Sequence, residues 1–312
     1  MIVSDDAIRA GFAVEDAGGT PALAEALARF RADRVPVIIT IRWPEVPGVK
    51  MTPDFDRVPT GADRTDSLGL LRRFLAETAG YVDWYQLQNE PLGGPGAYRI
   101  ADRPASLEWL TALAEEACTA RAENPALADL RLMSPGLTGI NDSGSDPDTA
   151  AYVVALLHLA GTHLEAVDVH LHVDSVATAS GMLDLVREGS DLPLVTMEWS
   201  QAKVAKDWLG ESVSDPRFGT GTNREFIEAA YDQHVPAQLW TDFVGTSPHD
   251  PDFLAKMMTM LRDRMVQIAC YGGANQFGSP LFDLQALFAN RTVGGRTPNE
   301  PFYSEFRALT AR

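Results

Sequence analysis

Short apolar or β-branched runs alternate with stretches of helical period along the whole chain, and this alternation constrains the fold more than any other feature. Such runs, each followed by an amphipathic helix, are what a parallel sheet assembled from βα units requires. The pattern predicts strands over Ile8–Val14, Val35–Trp43, Val82–Asn89, Leu130–Pro135, Ala166–His172, Leu194–Trp199 and Ile268–Phe277. It predicts helices over Pro21–Ala32, Leu68–Thr78, Ser106–Ala122, Ala150–Leu159, Gly181–Arg187, Asn223–Asp232 and Pro251–Val266, with Pro301–Ala311 closing the chain. Thr20-Pro21 is a start signal, a hydroxyl at the cap followed by proline at the first helical position.

The connections are unequal. Those from helix to strand are short, such as Ala79-Gly80, whereas those leaving strands are long and rich in Gly, Pro and Asp: Pro44–Asp66, Pro91–Ala105, Gly136–Thr149 and Ser200–Thr222. Long loops in a compact domain are more often functional than incidental, so the functional rim is expected at the C-terminal ends of the strands. A length of 312 residues suits one large α/β barrel, and no repeat or linker-like shift in composition cuts the chain. The expected architecture is a single α/β domain over 1–312; order alone leaves open a closed barrel or a doubly wound sheet.

Composition narrows the partners. Twenty-six Lys and Arg against 43 Asp and Glu give a net charge of −17, the wrong sign for a phosphate-backbone binder, so nucleic acid is not expected. No stretch approaches the roughly 18 uninterrupted apolar residues of a membrane span. Cys118 and Cys270 are too few for a disulfide framework and are expected to be buried free thiols. Met1-Ile2-Val3-Ser4-Asp5-Asp6 has no basic and apolar leader pattern, which points to the cytoplasm, or to secretion if the N-terminus is truncated.

Strand alternation decides which side chains share a face. Trp84, Gln86, Gln88 and Glu90 have one parity; Thr196, Glu198 and Ser200 share another face, as do Asp168, His170, His172 and Asp174. A stripe of two amides ending in a carboxylate is costly to bury unless it lines a solvated or hydrogen-bonded cavity. Two glutamates at strand ends are what retaining glycoside hydrolysis uses, one to protonate the leaving oxygen and one to attack the anomeric carbon, with carboxyls about 5–5.5 Å apart.

The residues Tyr85-Gln86-Leu87-Gln88-Asn89-Glu90-Pro91 resemble the Asn-Glu-Pro signature that closes the fourth strand in the clan A superfamily of retaining (β/α)8-barrel glycoside hydrolases. Val195-Thr196-Met197-Glu198-Trp199-Ser200 resembles that clan's seventh-strand end, and the stretch between the two leaves room for two intervening strands. The resemblance implies a (β/α)8 (TIM) barrel with Glu90 as general acid/base, Glu198 as nucleophile and Asn89 hydrogen-bonding the sugar's 2-hydroxyl. It implies that His170 or His172, preferably His172 nearer the rim, orients a catalytic carboxylate. Arg42 would either hold the nucleophile ionised or make a structural salt bridge with a rim carboxylate; Trp43, Trp199 and Phe277 would be sugar-stacking walls. The implied substrate is a carbohydrate with a β-linked bond, and no metal or organic cofactor is needed.

Two departures stand against the clan's pattern. Where its eighth strand often ends in Trp, this chain offers Phe277 or the amides Asn275 and Gln276. Counting back from Glu90 makes Val35–Trp43 the third strand and Ile8–Val14 the second, so either the first βα unit is lacking or a segment such as Val235–Phe243 fills its place. Competing readings are a non-catalytic carbohydrate-binding barrel, or a truncated inactive homologue, and a metal-dependent hydrolase begun by His170-Leu171-His172. The last is weakened because its histidine pair belongs on the first strand, and His158, His163, His234 and His249 lie on or beside helices and loops. Trp109, Trp208, Phe218 and Trp240 are assigned to packing, Trp208 being the best exception, and Gly93-Gly94-Pro95-Gly96 is no phosphate loop because proline removes an amide donor.

Overall fold

The computed structural model describes residues 2–4, 23–42, 58–91, 103–140, 147–271, 284, 287–289, 297–299 and 302–310. It divides into two compact units, Met1–Val169 with Val186–Leu194, and His170–Leu185 with Val195–Arg312. Trp43, Phe277, the predicted strand Ile8–Val14 and the Gly93–Gly96 loop lie outside the described residues. Among the described residues no helix is long and apolar enough to cross a membrane.

The first unit is built on parallel strands in sequence order: β1 (Ile2–Ser4), β2 (Ile38–Arg42), β3 (Trp84–Gln86) and β4 (Leu132–Met133). Single parallel bridges, Met133 with Ala166 and Leu137 with Val169, extend this order to β5 (Val167–Asp168). The crossovers that parallel pairing demands contain α1 (Leu23–Ala32), α2 (Gly61–Thr78), α3 (Arg103–Glu123) and α4 (Pro147–His163). Helix α2 buries Leu70, Leu71, Phe74 and Leu75, and α3 buries Trp109, Leu110, Leu113, Ala114 and Ala117, the i, i+3, i+4 stripes of amphipathic helices. Their outer faces are bridged by Arg64–Glu108 at 2.6 Å and by Arg72 to Glu116 and Glu123. These exposed pairs contribute little to stability.

In the second unit β6 (Leu171–His172), β7 (Leu194–Ser200, from Val195 onward) and β8 (Ile268–Tyr271) pair in parallel. Helix α5 (Val176–Gly189) follows β6; α6 (Asn223–Gln233), α7 (Ala237–Val244) and α8 (Phe253–Asp263) lie between β7 and β8. The short antiparallel pair β9 (Phe288–Ala289) and β10 (Thr297–Pro298) precedes α9 (Phe302–Thr310). The excursion after β7 has an aromatic core of its own, with Phe243 at 4.2 Å from Phe226, 5.2 Å from Phe218 and 5.3 Å from Trp208 between ring centroids.

Several expectations are corrected. The segment Val235–Phe243 is helical over Ala237–Val244 and supplies no strand; Pro236 opens it, and Trp240, Phe243 and Val244 fall at helical spacing on the buried side. The connection Pro44–Asp66 ends early, because α2 begins at Gly61. Ile2–Ser4, not expected as a strand, pairs in parallel with β2. Both cysteines are free, yet half-buried rather than buried. Cys118 Sγ lies 3.5 Å from the His163 carbonyl, and burial raises its pKa.

Candidate active site

The Gln86 stripe is a buried polar layer inside the first unit. Thr40 Oγ1 donates to Gln86 Oε1 at 2.8 Å, while Gln86 Nε2 donates to the Ser134 carbonyl at 3.2 Å and to the Asp168 carboxylate. The Asp168 amide donates to Ser134 Oγ at 2.8 Å. One side chain from β3 thus meets partners beside β2, β4 and β5, so these polar groups are satisfied without water.

Strand β3 stops at Gln86, sooner than alternation predicts, and the chain bends through Leu87, Gln88 and Asn89 before Glu90. Gln88 and Asn89 are buried at 2% and 3% exposure, and Glu90 is half-buried. Asn89 Oδ1 has no hydrogen-bond partner. A buried amide oxygen left without a donor carries a desolvation cost that an incoming donor would relieve. On β3, the Tyr85 hydroxyl meets Thr78 Oγ1 at 2.6 Å, and burial raises the phenol's pKa.

Glu198 stands near the end of β7 in the second unit. The pairing of β7 with β8 runs Thr196 to Ala269 and then Trp199 to Tyr271, three steps along one strand against two along the other. This irregularity is a bulge at Met197-Glu198, and Thr196 Oγ1 donates to the Glu198 carbonyl across it at 3.1 Å. The strict alternation of Thr196, Glu198 and Ser200 expected from sequence is therefore broken at the glutamate.

His172 Nε2 lies 3.1 Å from Glu198 Oε2, and His172 Nδ1 lies 2.8 Å from Ser200 Oγ. The side chains of His172 and Glu198 are 13% and 15% exposed, so their contact is shielded while one edge stays open. His170 is buried, its ring 6.1 Å from that of His172. Ser200 was not singled out from sequence; its parity with Glu198 at a strand end was the available signal. The rim beyond is tied by Gln201, whose side chain donates to the Asp174 carbonyl at 3.0 Å and accepts from the Asp250 amide at 2.9 Å. The Thr178 hydroxyl holds the Asp174 carboxyl below its usual pKa.

Of the remaining candidates, Arg42 ends β2 with its backbone opposite Ser4. Trp199, expected as a sugar platform, is buried at 2% exposure, with the ring centroids of Tyr271 at 4.9 Å and Phe253 at 6.2 Å. A cavity of about 850 Å³ in the first unit is lined by residues preceding the strands, among them Val35, Tyr81, Asp83 and Arg131. It opens at the opposite strand ends from Glu90, and two of its guanidiniums are already engaged, Arg121 with Glu165 at 2.5 Å and Arg131 with Asp83 at 3.8 Å.

No protein-family model and no curated protein matches the sequence. Among solved structures, a thermostable mutant of a xylanase (Xyn10A) from Cellvibrio japonicus is similar at TM-score 0.51 and 14% identity, over 99% of this chain and 88% of that one. A psychrophilic glycoside hydrolase family 10 endo-β-1,4-xylanase is similar at 0.50 and 10%, over 97% and 87%. The chain is similar in fold to these TIM-barrel glycoside hydrolases. A substituted BuGH86 in complex with neoagarooctaose is also similar, at 0.52 and 12%, over 98% of this chain and 53% of that one. At these identities the likeness is one of fold, and function has to be argued from the site.

Proposed function

We propose that the chain is a retaining glycoside hydrolase acting on a β-linked carbohydrate, with residues 1–312 as one catalytic barrel, Glu198 as nucleophile and Glu90 as general acid/base. The observation that carries this reading is Glu198 near a parallel-strand end, set by a bulge and held at 3.1 Å by His172. In the first half-reaction Glu198 attacks the anomeric carbon while Glu90 gives its proton to the departing oxygen. In the second, Glu90 takes a proton from water, which attacks the same carbon and releases the sugar from Glu198. His172, with Nε2–H donated to Glu198 and Nδ1 accepting from the Ser200 hydroxyl, would fix the carboxylate's orientation. Asn89 Oδ1 would accept a hydrogen bond from the sugar's 2-hydroxyl, which accounts for an acceptor buried without a donor.

The decisive experiment is treatment with a 2-fluoro glycoside inactivator, followed by peptide mapping by mass spectrometry. A single glycosyl ester on Glu198 is the expected result. An adduct on another residue would sink the assignment of Glu198, and none across gluco-, xylo-, galacto- and manno-configured reagents would favour a carbohydrate-binding barrel without catalysis.

A further inference from the structure

We propose that His170, His172 and Glu198 also form a binding site for one divalent transition-metal ion of the zinc type, which competes with the sugar for the Glu198 carboxylate. The effect on activity rests on Glu198 being the nucleophile; the binding does not.

Each of the three residues offers one ligand atom, and these atoms lie within 4.8 Å of one another inside the second unit. Two imidazoles with one carboxylate form a donor set that suits Zn²⁺ and leaves a fourth position for water. The separation of His172 Nε2 from Glu198 Oε2, 3.1 Å, is close to the edge of a tetrahedron with Zn–N and Zn–O bonds of about 2.0–2.1 Å, which is about 3.3 Å. Mg²⁺ and Ca²⁺ prefer all-oxygen shells and would be passed over.

Ser200 makes the two uses of His172 exclusive. For carboxylate orientation, Nε2 carries the proton and Nδ1 accepts from the Ser200 hydroxyl. For metal binding, the proton sits on Nδ1 and is donated to Ser200 Oγ, which frees the Nε2 lone pair toward Glu198. A hydroxyl serves both states because it both donates and accepts. His170 is buried at 1% exposure, so its ring is held in place by packing before any ion arrives. The ion and the glycosyl group then need the same Glu198 oxygens, and only one can have them.

The test is a titration of the full chain with Co²⁺, read by its visible d–d absorption, with Zn²⁺ binding followed by calorimetry. One ion per chain is expected, with affinity weakened more than 100-fold in His170→Gln and His172→Gln. In Ser200→Ala, which keeps all three ligands, the loss is roughly 10–100-fold; circular dichroism checks that each variant folds. Zn²⁺ should inhibit hydrolysis competitively and reversibly, and Mg²⁺ should not. Protein esterified on Glu198 by the 2-fluoro reagent should no longer bind Co²⁺. Absence of stoichiometric Co²⁺ binding, or binding that survives both histidine variants, overturns the proposal while a Glu198 ester leaves the hydrolase reading standing. Stoichiometric binding lost in those variants, with the ester found elsewhere, supports the metal site and removes Glu198 as the nucleophile.

Discussion

Asn89 is the residue at which burial and chemistry disagree most openly. Its side-chain oxygen is enclosed and lacks a donor, a desolvation cost that the hydroxyl of the proposed sugar would relieve. Because that bond should tighten as positive charge develops on the sugar, Asn89→Ala is expected to lower kcat roughly 10–100-fold with KM little changed, measured on an aryl β-glycoside. A rise in KM alone would mean ordinary substrate binding. His249 presents a different case. Burial lowers its pKa from 6.5 to about 4, its Nδ1 lies 2.7 Å from Ser247 Oγ, and its Nε2 has no partner. The unfolded chain takes up the proton first, so the associated stability is complete above about pH 6.5 and is lost as pH falls toward 4, by up to roughly 3 kcal/mol. In urea melts across that window, His249→Gln should flatten the difference between neutral and acid pH; an unchanged slope would assign the acid sensitivity to other groups. Glu90 and Glu198, the residues of the proposed mechanism, stood out in the sequence because one ends a stripe of amides and the other interrupts an apolar run at a strand end. Ser200 did not, since a serine has many reasons to end a strand.

Among elements, helices were read more faithfully than strands. Periodicity over ten or more residues averages out local exceptions, and α3 and α6 begin and end within a few residues of expectation. Strands of two to five residues have no such averaging: β3 gives way after Gln86 although its parity continues, and Ile2–Ser4 was too short to stand out. Val235–Phe243 was a short apolar run of either period, and Pro236 at its head was the deciding mark. Helix α6 shows how local chemistry sets a boundary. The Thr222 side chain accepts from the Glu225 amide at 3.3 Å, and the Glu225 carboxylate accepts from the Thr222 amide at 2.7 Å, a reciprocal capping box. Thr222→Ala should cost about 1 kcal/mol in chemical denaturation. A change near zero would show that Phe226 and Ile227, buried on the same helix, hold its start unaided.

At the scale of the molecule, the net charge of −17 sets which polymers can approach. Neutral β-glycans should be hydrolysed faster than uronic-acid polymers of the same linkage at low salt, and the gap should narrow as ionic strength rises and the field is screened. Equal rates at low salt would locate a compensating cluster of basic residues at the rim. Architecture was open to sequence because strand–helix alternation is a property of the whole chain, whereas barrel closure depends on a few edge residues that leave no periodic trace. The bulge on β7 carries a last consequence, in the number of residues rather than their identity. Most of this chain should tolerate loss of one codon in its loops, but removing Met197 would take away the residue that makes three steps of β7 span two of β8, and with it the local bend that sets the Glu198 carboxylate against His172. Scanning single-residue deletions along the chain should therefore find a position on β7 where the folded protein survives and the label on Glu198 does not, so that spacing alone, with Glu90, Glu198 and His172 all still present, would decide whether the proposed ester forms.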